Sequence, residues 1–87
     1  MNNADMVITT RAELSDLIRR IKAAVADGSL RQVSRSDRAD SDLDFSQLEP
    51  DGQWPDVIEA DFVDGLGQRF HIEVETYHGA GGRWARL

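Results

Sequence analysis

A regular alternation of apolar and polar residues between Val57 and Thr76 constrains the fold of this chain more than any other feature. Two runs carry the alternation, and a Gly-Leu-Gly segment at 65–67 separates them. The apolar members are Ile58, Ala60, Phe62, Phe70, Ile72 and Val74. A period of two places successive side chains on opposite faces of a strand. The pattern therefore predicts an antiparallel hairpin with one apolar face and one polar face.

The register of this hairpin follows from the requirement that directly opposed residues lie on the same face. A three-residue loop at 65–67 satisfies the requirement, and a glycine there supplies the positive φ of a bulged turn. On the apolar face this register places Phe62 opposite Phe70. On the polar face it places Asp61 opposite His71, and it places Glu59 opposite Glu73.

The last strand of the sheet follows a glycine-rich segment, and its register is less constrained. Pairing Tyr77 with Trp84 and Glu75 with Arg86 gives an aromatic pair and an ion pair on the polar face. We therefore expect Trp84 to lie on the outer surface of the sheet. A change of register by one residue would instead bury Trp84.

An amphipathic helix is predicted for residues 11–27. Thr10 and Glu13 form a capping box before it, and Gly28 is a typical C-terminal cap. One apolar stripe runs along the helix at three- and four-residue spacing. The fold class is therefore α+β: one N-terminal amphipathic helix packed on a three- to four-stranded antiparallel β-meander.

The remaining segments are less regular. Residues 1–8 resemble a loose tail with a short extended piece at 6–8, and 30–33 has the composition of a short strand. Residues 34–50 are predicted to form a flexible acidic loop, with an edge strand or a single helical turn at 43–48. Trp54 precedes Pro55, and we expect it to close one end of the sheet. The whole chain, 1–87, is expected to form a single small domain.

Charge and composition exclude several classes of protein. The formal net charge is −6, and residues 40–64 hold nine acidic and no basic residues. This block repels phosphate backbones, so we expect no nucleic-acid partner, although an ordinary solvated surface would carry the same charge. No cysteine is present, which excludes disulfides and thiolate metal sites. No apolar run has the length of a membrane span, and we expect a bacterial, cytoplasmic protein without a membrane partner.

The polar face of the hairpin is the leading candidate for a functional surface. Acidic residues would attract a basic partner, and exposed aromatic residues would supply affinity. The sequence thus predicts a small acidic protein-binding module, of which an inhibitor or immunity-type protein acting on a basic partner is one form. The alternative to a basic protein partner is a second copy of the chain, bound through the C-terminal edge strand. The predicted partner-binding residues are Glu59, Asp61, Glu73, Glu75, Tyr77, His78, Trp84 and Arg86.

A different interpretation of the same face is a small-molecule or divalent-metal-binding module. His71, Glu59 and Glu73 offer an imidazole and two carboxylates, which suit zinc or manganese. The alternative is a charged, solvent-facing sheet surface, which is common in antiparallel sheets. No serine or histidine lies in a recognisable nucleophile motif, so we expect neither catalysis nor a cofactor.

Overall fold

The computed structural model describes residues 6–33, 44–77 and 79–87. Within them, one α-helix and one antiparallel sheet confirm the α+β class. The sheet has five strands rather than the three or four that we expected. Their order in the sheet is β1-β5-β4-β3-β2. The elements are β1 (Met6–Ile8), α1 (Arg11–Ala26), β2 (Leu30–Val33), a 3-10 turn (Phe45–Gln47), β3 (Val57–Asp64), β4 (Arg69–Glu75) and β5 (Gly81–Arg86).

The two edges of the sheet are β1 and β2, at the extended piece 6–8 and the short strand 30–33 that the sequence indicated. β1 pairs with β5, with Met6 opposite Trp84, and β2 pairs with β3, with Leu30 opposite Asp64. Since α1 joins β1 to β2, it has to cross the sheet from one edge to the other. The final strand, β5, is covered on both sides by β1 and β4. The expectation of self-association through an exposed C-terminal edge is therefore wrong, because β5 is not an edge strand.

The helix begins and ends where its capping residues predicted. The Thr10 hydroxyl accepts a hydrogen bond from the Glu13 backbone N–H at 3.1 Å, and Glu13 accepts one from the Thr10 N–H at 3.1 Å. Hydrogen bonds from Thr9 and Thr10 to the Glu13 carboxylate hold the pKa of Glu13 below its ordinary value of 4.5. At the other end, Gly28 has a φ of 88°, the left-handed conformation that terminates a helix.

The core lies between α1 and one face of the sheet, which we call the inner face. The helix contributes Leu14, Leu17, Ile18 and Ile21, all fully buried. From the sheet come the alternating apolar residues of β3 and β4, as predicted, together with Trp84 of β5. The opposite face of the sheet is called the outer face.

Trp84 is the centre of the aromatic part of this core, and our predicted register for the last strand is wrong. Trp84 lies opposite Ile72 rather than Tyr77, and its exposure is 0%. Its ring stacks on Phe70 at 5.4 Å and lies 5.7 Å from Phe62. The observed partner is five positions from the predicted one, and an odd shift moves every side chain of β5 to the other face. Burial of the large indole surface favours the observed pairing.

The segment before β3 packs beside this core. Residues 34–43 of the predicted acidic loop lie outside the described residues. Beyond them the chain forms the single turn at 45–47, and Phe45 and Leu48 are buried in the core. Trp54 is half-buried, and the Arg11 guanidinium lies 4.3 Å from the centre of its ring.

Candidate functional site

The β3–β4 hairpin places the predicted acidic residues on the outer face. Its register is the predicted one: Asp61 lies opposite His71, and Glu59 lies opposite Glu73. The Asp64 N–H donates to the Gln68 carbonyl at 3.0 Å and closes the three-residue loop, in which Gly67 has a φ of 83°. The alternation of the two strands thus brings one imidazole and three carboxylates together on one surface.

These four residues form a compact group, which we call the His71 cluster. His71 Nδ1 lies 2.5 Å from Asp61 Oδ1, a short hydrogen-bond distance. His71 Nε2 lies 3.7 Å from Glu59 Oε2 and 3.6 Å from Glu73 Oε2. The two nitrogens of the ring therefore face different partners: Nδ1 faces one carboxylate, and Nε2 faces the other two.

Burial differs across the cluster. The side chains of Asp61 and His71 are 8% and 14% exposed, whereas those of Glu59 and Glu73 are 22% and 58% exposed. The Asp61–His71 pair is thus enclosed, and Glu73 reaches into solvent. Carboxylates placed this close repel one another unless a cation lies between them. An arginine or water between the carboxylates would have the same effect.

The spacing of the ligand atoms suits a single small ion. One ligand atom each from Glu59, His71 and Glu73 lie within 4.8 Å of one another. Ligands at the usual zinc distances are roughly 3.4 Å apart in a tetrahedral site. The two distances from His71 Nε2, 3.6 and 3.7 Å, are close to this value.

Glu75 and Tyr77 lie beside the His71 cluster but outside it. The Tyr77 hydroxyl donates a hydrogen bond to Glu75 Oε2 at 3.0 Å. This hydrogen bond, together with the negative charge of Glu75, raises the pKa of Tyr77 above 10.0. Both residues are exposed at the surface, as the sequence predicted.

Two of the predicted partner-binding residues are absent from the outer face. Trp84 is fully buried, and Arg86 lies opposite Phe70, in the alternation of the inner face. Their expected places beside Tyr77 and Glu75 depended on the wrong register. His78 lies outside the described residues. The outer face therefore keeps its acidic residues and Tyr77, but loses the Trp–Tyr–Arg group.

Comparison with known proteins gives no family for this chain. No family model matches it, and no curated protein or solved structure is significantly similar to it. In the described part of the chain, no helix is both long and apolar enough to cross a membrane.

The sequence identified the members of the His71 cluster, but it did not predict that Asp61 is buried while the glutamates are more exposed. Asp61 was expected to be a steering charge on the surface, and instead it is buried against His71 Nδ1. The pairing of Asp61 with His71 was already implied by the hairpin register. The burial of Asp61 was not implied, because it depends on β2, which pairs with β3 and has Val33 directly opposite Asp61.

Proposed function

We propose that this protein binds a divalent metal ion, zinc or manganese, through Glu59, His71 and Glu73. The observation that carries the proposal is the position of His71 Nε2 between two carboxylates, with the other ring nitrogen held by Asp61. The loss of Trp84 and Arg86 from the outer face leaves this cluster as its best-defined feature.

The types of ligand support this class of metal. A set of one imidazole nitrogen and two carboxylate oxygens suits zinc and manganese, whereas calcium and magnesium prefer oxygen ligands alone. Three protein ligands leave at least one position of the metal open to water or to an external ligand. A histidine that binds a metal through one nitrogen commonly donates its other N–H to a carboxylate, as His71 is placed to do with Asp61.

The competing explanation is an ordinary charged sheet surface, on which the carboxylates are compensated by protein groups and water and no metal binds. The two explanations differ in their response to added metal. A ligand that binds only the folded protein stabilises it by about 2.7 kcal/mol at 100 times its Kd. For a domain of this size, that is a rise in Tm of about 10–20 °C.

The test is thermal unfolding of the purified protein with and without Zn²⁺ or Mn²⁺, with the affinity measured by calorimetry. Glu73→Gln should remove most of the metal-dependent rise in Tm. Glu75→Gln is the matched control, because it removes the same charge two residues away on the same strand and face. Failure of the wild type to respond to millimolar metal would refute the proposal, as would an equal loss in both variants.

A second candidate is the protein-binding module that the sequence favoured, and exposed apolar residues on the outer face support it. Val57, opposite Glu75, is 50% exposed, and Val7, opposite Arg83, is 71% exposed. Tyr77, which donates a hydrogen bond to Glu75, is 54% exposed. Apolar and aromatic side chains among carboxylates suit a basic protein partner.

This candidate predicts that the protein captures a basic protein from its host. Val57→Asp and Tyr77→Ala should each abolish the capture. Leu66→Asp, at a residue 87% exposed in the β3–β4 loop, should leave it intact. Capture that is insensitive to both outer-face substitutions would count against a binding role for this face.

A further inference from the structure

We infer that Asp61 is the positioning residue of the metal site, and that it fixes the His71 ring so that only Nε2 is available to a metal. This inference rests on the proposed metal-binding function. Asp61 does not itself face the ion, because its carboxylate contacts the far nitrogen of the ring. Its role is exerted through His71.

The geometry on the Asp61 side of the ring supports this role. Asp61 and His71 are directly opposed on β3 and β4, and their side chains are joined at 2.5 Å. The Asp61 side chain is only 8% exposed, so water competes little for this hydrogen bond. A carboxylate acceptor at this distance requires the proton of a neutral imidazole to be on Nδ1. The lone pair of Nε2 then points to the side where Glu59 and Glu73 lie.

Loss of this support should weaken metal binding without removing a ligand. A histidine ring without a fixed partner can rotate, and it can also carry its proton on the nitrogen that the metal needs. The carboxylate additionally makes the imidazole a better donor to the metal. Mutation of such outer partners typically costs 10–100-fold in metal affinity.

Two substitutions separate the parts of this role. Asp61→Asn retains an oxygen that can accept from Nδ1 but removes the charge, so we expect about a tenfold loss of zinc affinity. Asp61→Leu removes the acceptor as well, and we expect about a hundredfold loss. Zinc affinity is measured by competition with a chromophoric chelator, at a temperature where circular dichroism shows each variant folded. If Asp61→Leu does not fold, the Asn variant alone carries the affinity test.

A second measurement reports on the ring itself. Nitrogen-15 NMR of the metal-free wild type, at a pH where the spectrum itself shows a neutral His71 ring, should find the proton on Nδ1, and this preference should be lost in a folded Asp61 variant. A purely structural Asp61 would lower stability and leave both the tautomer and the zinc affinity unchanged. Either wild-type affinity in Asp61→Asn or a neutral His71 ring with its proton on Nε2 in the metal-free wild type would overturn the inference.

The outcome for Asp61 can be distinguished from the outcome for the proposed function. If Glu73→Gln abolishes zinc binding while Asp61→Asn binds as the wild type does, the metal site stands and only the positioning role falls. If the wild type binds no zinc, the proposed function falls. The tautomer of metal-free His71 still decides whether Asp61 orients the ring.

Discussion

Gly82 allows β4 and β5 to approach each other, and its replacement by alanine should be severely destabilising. A Cβ added at Gly82 would overlap the Glu73 carbonyl oxygen and would lie 2.6 Å from the Val74 Cα. These are backbone atoms of the neighbouring strand, so no side-chain rotation can relieve the overlap. Gly82 has a strand neighbour on each side, since it pairs with both Val74 and Ile8.

The expected cost follows from two terms. Overpacking in a well-packed region costs about 1–3 kcal/mol. Separating the strands also weakens ladder hydrogen bonds, each with a net contribution of about 1 kcal/mol. We therefore expect Gly82→Ala to lower the free energy of unfolding by about 3 kcal/mol. For a domain of this size, that corresponds to a fall in Tm of about 12–24 °C.

Gly81 provides a matched control in the same strand. A Cβ at Gly81 meets no atom within 4 Å, and its φ is not in the left-handed region. Gly81→Ala should therefore leave the stability unchanged, or raise it by up to about 1 kcal/mol by restricting the unfolded chain. Urea unfolding followed by circular dichroism measures both variants. Equal unfolding midpoints for the two variants would refute the prediction that the backbones of β4 and β5 are too close at Gly82 to admit a Cβ atom.

Two predictions concern ionisation of side chains at the surface. Tyr77 is the single tyrosine of the chain, so a spectrophotometric titration reports it alone. Glu75→Gln should lower the pKa of Tyr77 towards 10.0, because the substitution removes the carboxylate that raises this pKa. Glu73→Gln is the control and should leave the pKa of Tyr77 unchanged. An unchanged Tyr77 pKa in Glu75→Gln would contradict the hydrogen bond between the two residues. The pKa of Glu13 is lowered in the folded protein, so its stabilising contribution is present above pH 4.5 and is lost as the pH falls through the folded value. Glu13→Gln should therefore lose less stability than the wild type between about pH 7 and about pH 3 in urea unfolding, and equal losses would refute this.

The helix and the β3–β4 hairpin could be predicted because their signals are local. The capping box of Thr10 and Glu13 lies within one turn of chain, and Gly28 ends the same helix two residues beyond its last residue. The hairpin is closed by a loop of three residues, so alternation in the two strands leaves one register that keeps the apolar residues together. Such signals need no knowledge of the remainder of the chain.

The extended segments at 6–8 and 30–33 were indicated by the sequence, but their pairing at the edges of the sheet and the register of the last strand could not be predicted in this way. β1 has three residues, and its partner β5 is more than seventy positions away in sequence. The run Gly81–Arg86 has no clear alternation, so its side chains do not specify a face. Its register depends instead on tertiary contacts: the burial of Trp84 against Phe70, and the close approach of strands that Gly82 permits. Both contacts become visible only after the sheet is assembled.

This difference explains why the structure brings the candidate metal ligands together but separates Trp84 from Tyr77. Glu59, His71 and Glu73 belong to one hairpin, and their juxtaposition follows from its register alone. The aromatic interface required Trp84 to lie beside Tyr77, and therefore required the register of a third strand. Even within the hairpin, the depth of Asp61 depends on β2, whose Val33 lies opposite it. The ligand set is thus encoded locally, whereas the burial that would let Asp61 hold His71 is a property of the whole sheet.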